Sequence, residues 1–163
     1  MVHDFFQWIY DWPISQTIAG GTWQFPALEV THIYSMVLMV TVIALFDLNF
    51  MGFPVGRETV SQLARIALRW VWACLGVNAA SGILLFMSRA TEYYGNPAFQ
   101  AKLLLIVVGV TVHTVIFRRA TKWDEVPSMA RRTKLLQGCS SLLLWFGVMF
   151  ASRWIAYAVP GYE

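Results

Sequence analysis

Four long apolar segments occupy most of this 163-residue chain, and they restrict its fold more than any other feature. They cover approximately residues 27–52, 64–88, 97–119 and 134–157. Each has about the ~20 residues that a helix needs to cross ~30 Å of hydrocarbon. Because the bilayer core offers no water, each must satisfy its backbone internally as a helix. We therefore predict an all-α fold in which residues 27–163 form a four-helix transmembrane bundle.

The first 26 residues predict an amphipathic helical segment that lies in the membrane interface. Three polar residues share one helical face, and aromatic and aliphatic side chains cover the rest. The three are Asp4, Gln7 and Asp11. Pro13 suits the first turn of a short second helix, which the Gly20-Gly21 pair would end. Pro26 and Pro97 should likewise stand at the first position of the first and third spans.

The placement of basic residues predicts the orientation. Nine of the twelve Lys and Arg residues flank the first and third loops between spans; they are Arg57, Arg65, Arg69, Arg118, Arg119, Lys122, Arg131, Arg132 and Lys134. Under the positive-inside rule, these loops face the cytoplasm and both termini face the periplasm of a bacterial inner membrane. The net charge of +3 therefore reports topology and does not indicate a nucleic-acid partner.

Ionisable residues within the spans are the candidates for function, because a charge in hydrocarbon is costly. Helical spacing sorts them into two layers. The outer layer, towards the termini, comprises Glu29, His32, Lys102 and Arg153. The inner layer comprises Asp47, Arg69 and His113, with Arg118 at its boundary, and Asn78 is a polar residue of the second span.

Each layer also has a purely structural interpretation. Glu29 could pair with Lys102 or Arg153, and we predict that Asp47 and Arg69 form an ion pair at the inner face. His113 and Asn78 would then act only as hydrogen-bonding groups. A di-iron site is not indicated, because the chain offers a single Glu29-x-x-His32 motif where two such motifs and two further glutamates are required.

Two segments carry a resemblance to known proteins. ALEVTHIYSMVLMVTVIALFDLNFMG and NPAFQAKLLLIVVGVTVHTVIFRR resemble an uncharacterised family of small four-helix bacterial inner-membrane proteins. More distantly, they are similar to the small four-helix protoporphyrinogen oxidases, which bind haem b. That resemblance implies that His32 is a haem ligand and that Lys102 is the functional lysine. Asp47-Leu48-Asn49 stand where those oxidases carry a basic residue, and residues 124–127 read Asp-Glu-Val-Pro in place of Asn-Glu-Val-Pro.

The residues around His32 are compatible with haem. Glu29 or a backbone carbonyl could orient its second ring nitrogen, and Lys102 and Arg153 could pair with propionates. Met36 or Met149 could complete the ligation, and Gly109 could let the macrocycle approach.

We therefore expect a haem-b-binding redox protein, or the membrane subunit of a redox complex. The alternative is a non-catalytic accessory subunit of a larger membrane complex, and a third possibility is a proton or solute pathway along the two layers. The partners expected are the lipid bilayer and a membrane protein or a second copy of the chain. No catalytic residue is indicated.

Overall fold

The computed structural model describes residues 2–53, 56–122 and 130–158, in which it places seven helices and no strand. They are α1 (Val2–Tyr10), α2 (Pro13–Gly20), α3 (Gln24–Phe50), α4 (Val60–Ser88), α5 (Ala90–Tyr93), α6 (Pro97–Ala120) and α7 (Arg131–Ala158). Four of them, α3, α4, α6 and α7, are long and apolar enough to cross a membrane. The prediction of an all-α fold with four spanning helices is confirmed.

The four long helices form an up-down-up-down bundle. The most extensive packing joins α3 to α4 and α6 to α7, and lesser contacts join α4 to α6 and α3 to α7. Each helix therefore has two neighbours, and α3 and α6 are parallel helices on one diagonal of the bundle. We call the end at which α3 and α6 begin the outer end, and the opposite end the inner end.

Capping side chains fix where two of the spans begin. The Thr59 hydroxyl accepts from the backbone N–H of Gln62 at 3.3 Å, and the Gln62 side chain accepts from the backbone N–H of Thr59 at 2.8 Å. This capping box starts α4 at Val60, four residues before the predicted start of the second span. Asn96 Oδ1 accepts from the N–H groups of Ala98 and Phe99, which starts α6 at Pro97, as predicted.

Pro26 was predicted to stand at the first position of the first span, and this prediction was wrong. Helix α3 begins at Gln24, so Pro26 is its third residue and not its first. The position is still tolerated, because the first four N–H groups of a helix have no intrahelical acceptor and a proline there loses no hydrogen bond.

The apolar core lies in the inner half and the middle of the bundle. Its largest fully buried side chains include Met39, Ile43, Phe46, Phe117 and Trp145. The Phe46 and Phe117 rings meet edge to face, with 4.8 Å between their centroids, and join α3 to α6 across the diagonal.

The outward faces of the long helices are strongly apolar. Exposed side chains include Ile33 on α3, Leu104 and Val107 on α6, and Leu143 and Phe150 on α7. In a bilayer, these side chains contact lipid tails, because lipid replaces water as the solvent of a spanning helix. The length and composition of these four helices are those of a multi-pass membrane protein.

The N-terminal segment forms two short helices that pack against the outer end of the bundle. The Phe6 ring of α1 stacks on Tyr94, just after α5, with 4.7 Å between centroids. The Ser15 hydroxyl of α2 donates to Ile9 O at 2.8 Å and joins the two helices, while Ile18 is buried. The break at Pro13 agrees with the prediction, and the location of this segment in the interface stays a prediction.

Candidate functional site

His32 and Lys102 meet at the centre of the outer half of the bundle. His32 lies on α3 and Lys102 on α6, and these helices lie on one diagonal, so their side chains reach each other across the interior. Lys102 Nζ is 3.2 Å from His32 Nε2, and both side chains are half-buried. A lysine side chain has donors only, so His32 Nε2 accepts this hydrogen bond through its lone pair.

Helix α4 holds the other ring nitrogen of His32. His32 Nδ1 is 3.0 Å from the backbone oxygen of Asn78 and 3.1 Å from Ser81 Oγ. The backbone carbonyl of Asn78 can only accept a hydrogen bond, so Nδ1 must carry the proton. The Ser81 hydroxyl agrees with this, because it donates its own hydrogen to Val77 O at 2.8 Å and can therefore accept from Nδ1. The contacts therefore indicate a neutral imidazole with its hydrogen on Nδ1 and its lone pair on Nε2.

Asn78 fixes the backbone beneath this ring. Its Nδ2 group donates to His32 O at 2.9 Å and to Ser35 Oγ at 3.1 Å. We call the five side chains that meet here the outer polar cluster: His32, Ser35, Asn78, Ser81 and Lys102. A Cβ atom at Gly82 would lie 3.0 Å from His32 Cε1, so only glycine leaves full room for the ring.

A second group of polar side chains is buried deeper. His113 Nε2 is 2.7 Å from Ser141 Oγ, and Ser141 Oγ is hydrogen-bonded to Asp47 Oδ2. His113 Nδ1 is 2.8 Å from Gly109 O, one turn earlier on α6. We call Asp47, His113 and Ser141 the inner polar cluster. It again spans the diagonal from α3 to α6, with α7 between them in place of α4.

Asp47 and Arg69 both lie in the described part of the chain, and they do not form the predicted ion pair. The partner of Asp47 is Ser141, and Asp47 is 5% exposed, whereas Arg69 is exposed. The reason is helical phase: Arg69 lies two residues from the buried Ala67 and Val71, so its side chain projects from the opposite face of α4.

Three other residues predicted at the cofactor have different surroundings. Glu29 is exposed and makes no hydrogen bond or ion pair within the described ranges, so the carbonyl of Asn78, not Glu29, orients His32. Met36 belongs to the apolar core. A Cβ atom at Gly109 would lie 2.7 Å from Leu144 Cδ2, so Gly109 permits close packing of α6 on α7.

The remaining residues of the two layers lie at the ends of the bundle. Arg153 is exposed near the outer end of α7, and Arg118 is exposed near the inner end of α6. The Asp-Glu-Val-Pro motif of residues 124–127 lies outside the described residues.

Ser35 and Ser141 were not predicted as members of the two polar groups. Ser141 has a recognisable signal, because it stands in the buried helical series Gly138, Ser141, Trp145 and Val148. A hydroxyl on the buried stripe of a spanning helix needs a partner from another helix or from its own backbone. A serine at that position therefore marks a point where buried polar groups meet.

Two further observations bear on ligands. In the described part of the chain, no group of three or more His, Cys, Asp or Glu side chains could hold a metal ion. The indole N–H of Trp145 is fully buried beside His113, with 5.7 Å between ring centroids, and finds no acceptor among the described residues.

Comparison with models of protein families, with curated proteins and with solved structures found no match for this chain.

Proposed function

We propose that this chain is a haem-b-binding redox protein of the bacterial inner membrane, or the membrane subunit of a redox complex, with His32 as the iron ligand. The observation that carries the proposal is the state of the His32 ring. An iron-binding histidine usually donates its other N–H to a backbone carbonyl or a carboxylate, which fixes the tautomer and the direction of the lone pair. His32 has this arrangement, with Nδ1 on Asn78 O and the Nε2 lone pair towards the bundle interior.

The donor chemistry fits haem, on one condition. Lys102 Nζ occupies the approach to Nε2 at 3.2 Å, so an iron atom can bind only after the Lys102 side chain has turned away. Its flexible four-carbon stem allows this movement, and its ammonium group can then pair with an anion such as a cofactor carboxylate. Bound haem would supply one-electron transfer.

The chain's own residues have separate roles in this proposal. His32 holds the iron, Asn78 O keeps the proton on Nδ1, and Gly82 leaves space for the ring. Lys102 and Arg153 are two of the cations on the outer side, where Arg89 also lies. Met36 and Met149, predicted as alternative second ligands, would have to leave the apolar core or its edge, so a single protein ligand agrees better with the packing.

Absorption spectra of the purified protein, oxidised and reduced, test the proposal. We expect a Soret band and a reduced α-band, and we expect His32→Gln to lose both. His113→Gln is the matched control and should retain them, because His113 is engaged at both nitrogens in the inner polar cluster.

A preparation with no Soret absorption after expression with ample haem, or haem that survives His32→Gln, would contradict haem binding at this site. Either result would favour the accessory-subunit alternative. In that case, the apolar outward faces of α6 and α7 would contact a partner membrane protein or a second copy of the chain.

A further inference from the structure

Asp47 is buried in the membrane-spanning region, and none of the described cations is hydrogen-bonded to it. Its exposed fraction is 5%, and those of His113 and Ser141 are 1% and 9%. An ionised carboxylate in such a place is costly unless a positive charge or several donors compensate it. The only described side chain bonded to it is the Ser141 hydroxyl, which contacts His113 on its other side. The protonation of the three residues must therefore be considered together.

The hydrogen-bond contacts restrict where protons can lie. His113 Nδ1 faces the carbonyl of Gly109 at 2.8 Å, and because a carbonyl only accepts, Nδ1 carries a hydrogen. His113 Nε2 and Ser141 Oγ are 2.7 Å apart, so one of them must donate to the other. The bond between Ser141 and Asp47 also requires one hydrogen between the two oxygens.

Two arrangements without net charge satisfy all these contacts; a third, in which Ser141 accepts from both a protonated Asp47 and an imidazolium, would bury an uncompensated positive charge. In the first, Ser141 donates to an ionised Asp47, and the Nε2–H group of His113, now an imidazolium, donates to Ser141. In the second, a protonated Asp47 donates to Ser141, and Ser141 donates to the Nε2 lone pair of a neutral His113. Both have zero net charge and the same number of protons. An ionised Asp47 with a neutral His113 would leave one contact without a hydrogen, at the full cost of an unmade buried bond.

We propose that Asp47, Ser141 and His113 form an intramembrane proton-binding site, which holds one exchangeable proton shared between carboxylate and imidazole through the Ser141 hydroxyl. In the transfer from His113 to Asp47, the Nε2–H bond breaks as a Ser141 O–H bond forms. The original Ser141 O–H bond breaks as the Asp47 O–H bond forms. No charge leaves the site.

No other charged or titratable side chain among the described residues is hydrogen-bonded to this site. The other charged or titratable side chains on the four packed helices in this half are Arg65, Arg69 and Cys74 on α4, Arg118 and Arg119 on α6, and Arg131, Arg132, Lys134 and Cys139 on α7. Cys74 is buried and Lys134 is half-buried, with its Nζ 6.0 Å from the centre of the Phe50 ring; the others are exposed. The rings of Phe117 and Trp145 pack against His113 and limit access of water.

Two spectroscopic measurements on the whole protein in lipid nanodiscs test the proposal, with or without haem bound. Infrared spectroscopy detects the carbonyl stretch of a protonated carboxylic acid. The band that disappears in the Asp47→Asn variant belongs to Asp47. Nitrogen chemical shifts of isotopically labelled histidine distinguish imidazolium from the neutral ring, and His113→Gln assigns the signal. At neutral pH, we expect the protonated fraction of Asp47 and the imidazolium fraction of His113 to add up to one. We also expect the acid band to shift in deuterium oxide.

An ionised Asp47 beside a neutral His113 would overturn the proposal, and so would a protonated Asp47 beside an imidazolium. Both fractions are measured on the unmodified chain, and the two variants serve only to assign its signals. Because neither measurement depends on His32, the proposal can fail while haem binding holds, and the reverse.

Variants at Ser141 then test the relay. Ser141→Ala should break the coupling, because His113 Nε2 and Asp47 lose their common partner, whereas Ser141→Thr keeps a hydroxyl and should restore it. Ser140→Ala is the matched control, since Ser140 is exposed and its hydroxyl donates only to Gln137 O of its own helix. Identical spectra for Ser141→Ala and Ser140→Ala would show that Ser141 does not carry the proton.

Discussion

At the scale of single residues, the two histidines of the spanning helices differ in what their second nitrogen faces. Both have Nδ1 against a backbone carbonyl, of Asn78 for His32 and of Gly109 for His113. The Nε2 atom of His32 faces a lysine, whereas that of His113 faces a serine bonded to a carboxylate. His32 is therefore placed to offer a lone pair, and His113 to exchange a proton.

Gly82 tests how closely the outer polar cluster is packed. A Cβ atom at Gly82 would meet the His32 ring at 3.0 Å, whereas one at Gly76 of the same helix would meet nothing within 4 Å. We expect Gly82→Ala to be less stable than Gly76→Ala by about 1–3 kcal/mol, the usual cost of overpacking a close contact. Comparing the two alanine variants cancels the common effect on helix propensity.

The measurement is reversible unfolding of the detergent-solubilised protein in a denaturing detergent, followed by Trp fluorescence. Equal stability of the two variants would mean that the His32 ring can move without cost, and that the contacts of Nδ1 do not hold it in place.

At the scale of helices, the ends of the spans follow local side-chain chemistry. Thr59 and Asn96 each cap a helix with a side-chain oxygen, and Pro97 occupies the first position of α6. Such caps depend on residues within one turn, so the start of α6 could be predicted from the sequence. The start of α4 was placed too late, because the apolar pattern begins only after its first, more polar turn.

The Asn96 cap should contribute measurably to stability. Asn96→Ala removes the acceptor for two backbone N–H groups of α6 and should cost about 1 kcal/mol. Asn96→Ser retains a capping oxygen and should lie closer to the unmodified protein. The same unfolding assay measures both variants, and an alanine variant as stable as the serine variant would show that water or lipid headgroups replace the cap.

At the scale of the whole molecule, the two polar clusters have the same arrangement of helices. Each joins α3 to α6 across the diagonal, and each takes its third partner from a different neighbour, α4 in the outer half and α7 in the inner half. The apolar core, with Ile43 and Phe46, packs against the inner cluster, whereas the outer cluster is only half-buried around His32 and Lys102. The outer half is accordingly the part in which the proposed haem would displace the least packing.

The orientation of the bundle in the membrane is a further prediction. We expect the inner end to face the cytoplasm, because nine of the twelve Lys and Arg residues flank its two loops. A reporter that fluoresces only in the cytoplasm should be bright when inserted within residues 128–131 and dark when fused after Glu163. The reverse pattern would place the outer polar cluster on the cytoplasmic side.

The sequence located single polar positions within the helices, but it did not identify the partner of Asp47. The sequence identified His32, Lys102, Asp47 and His113 as polar residues in apolar helices, because a spacing of 3.6 residues per turn fixes depth and face. It assigned Asp47 to Arg69 on the basis of charge, and the structure assigns it to Ser141. Charge complementarity does not specify how a helix is rotated about its own axis. Arg69 lies two residues from the buried positions of α4, so its side chain points away from the bundle interior.

The sequence by itself determined that this chain forms spanning helices, how many there are and roughly how deep each polar residue lies. Hydrocarbon solvent enforces internal backbone bonding, and helix geometry converts residue number into depth, so these properties need no knowledge of neighbours. Only the tertiary structure decided which side chains meet, because that depends on the rotation of each helix about its axis and on which helices are adjacent. Ser141 shows the difference: its position on the buried stripe of α7 is local, but its bonds to both Asp47 and His113 require three helices.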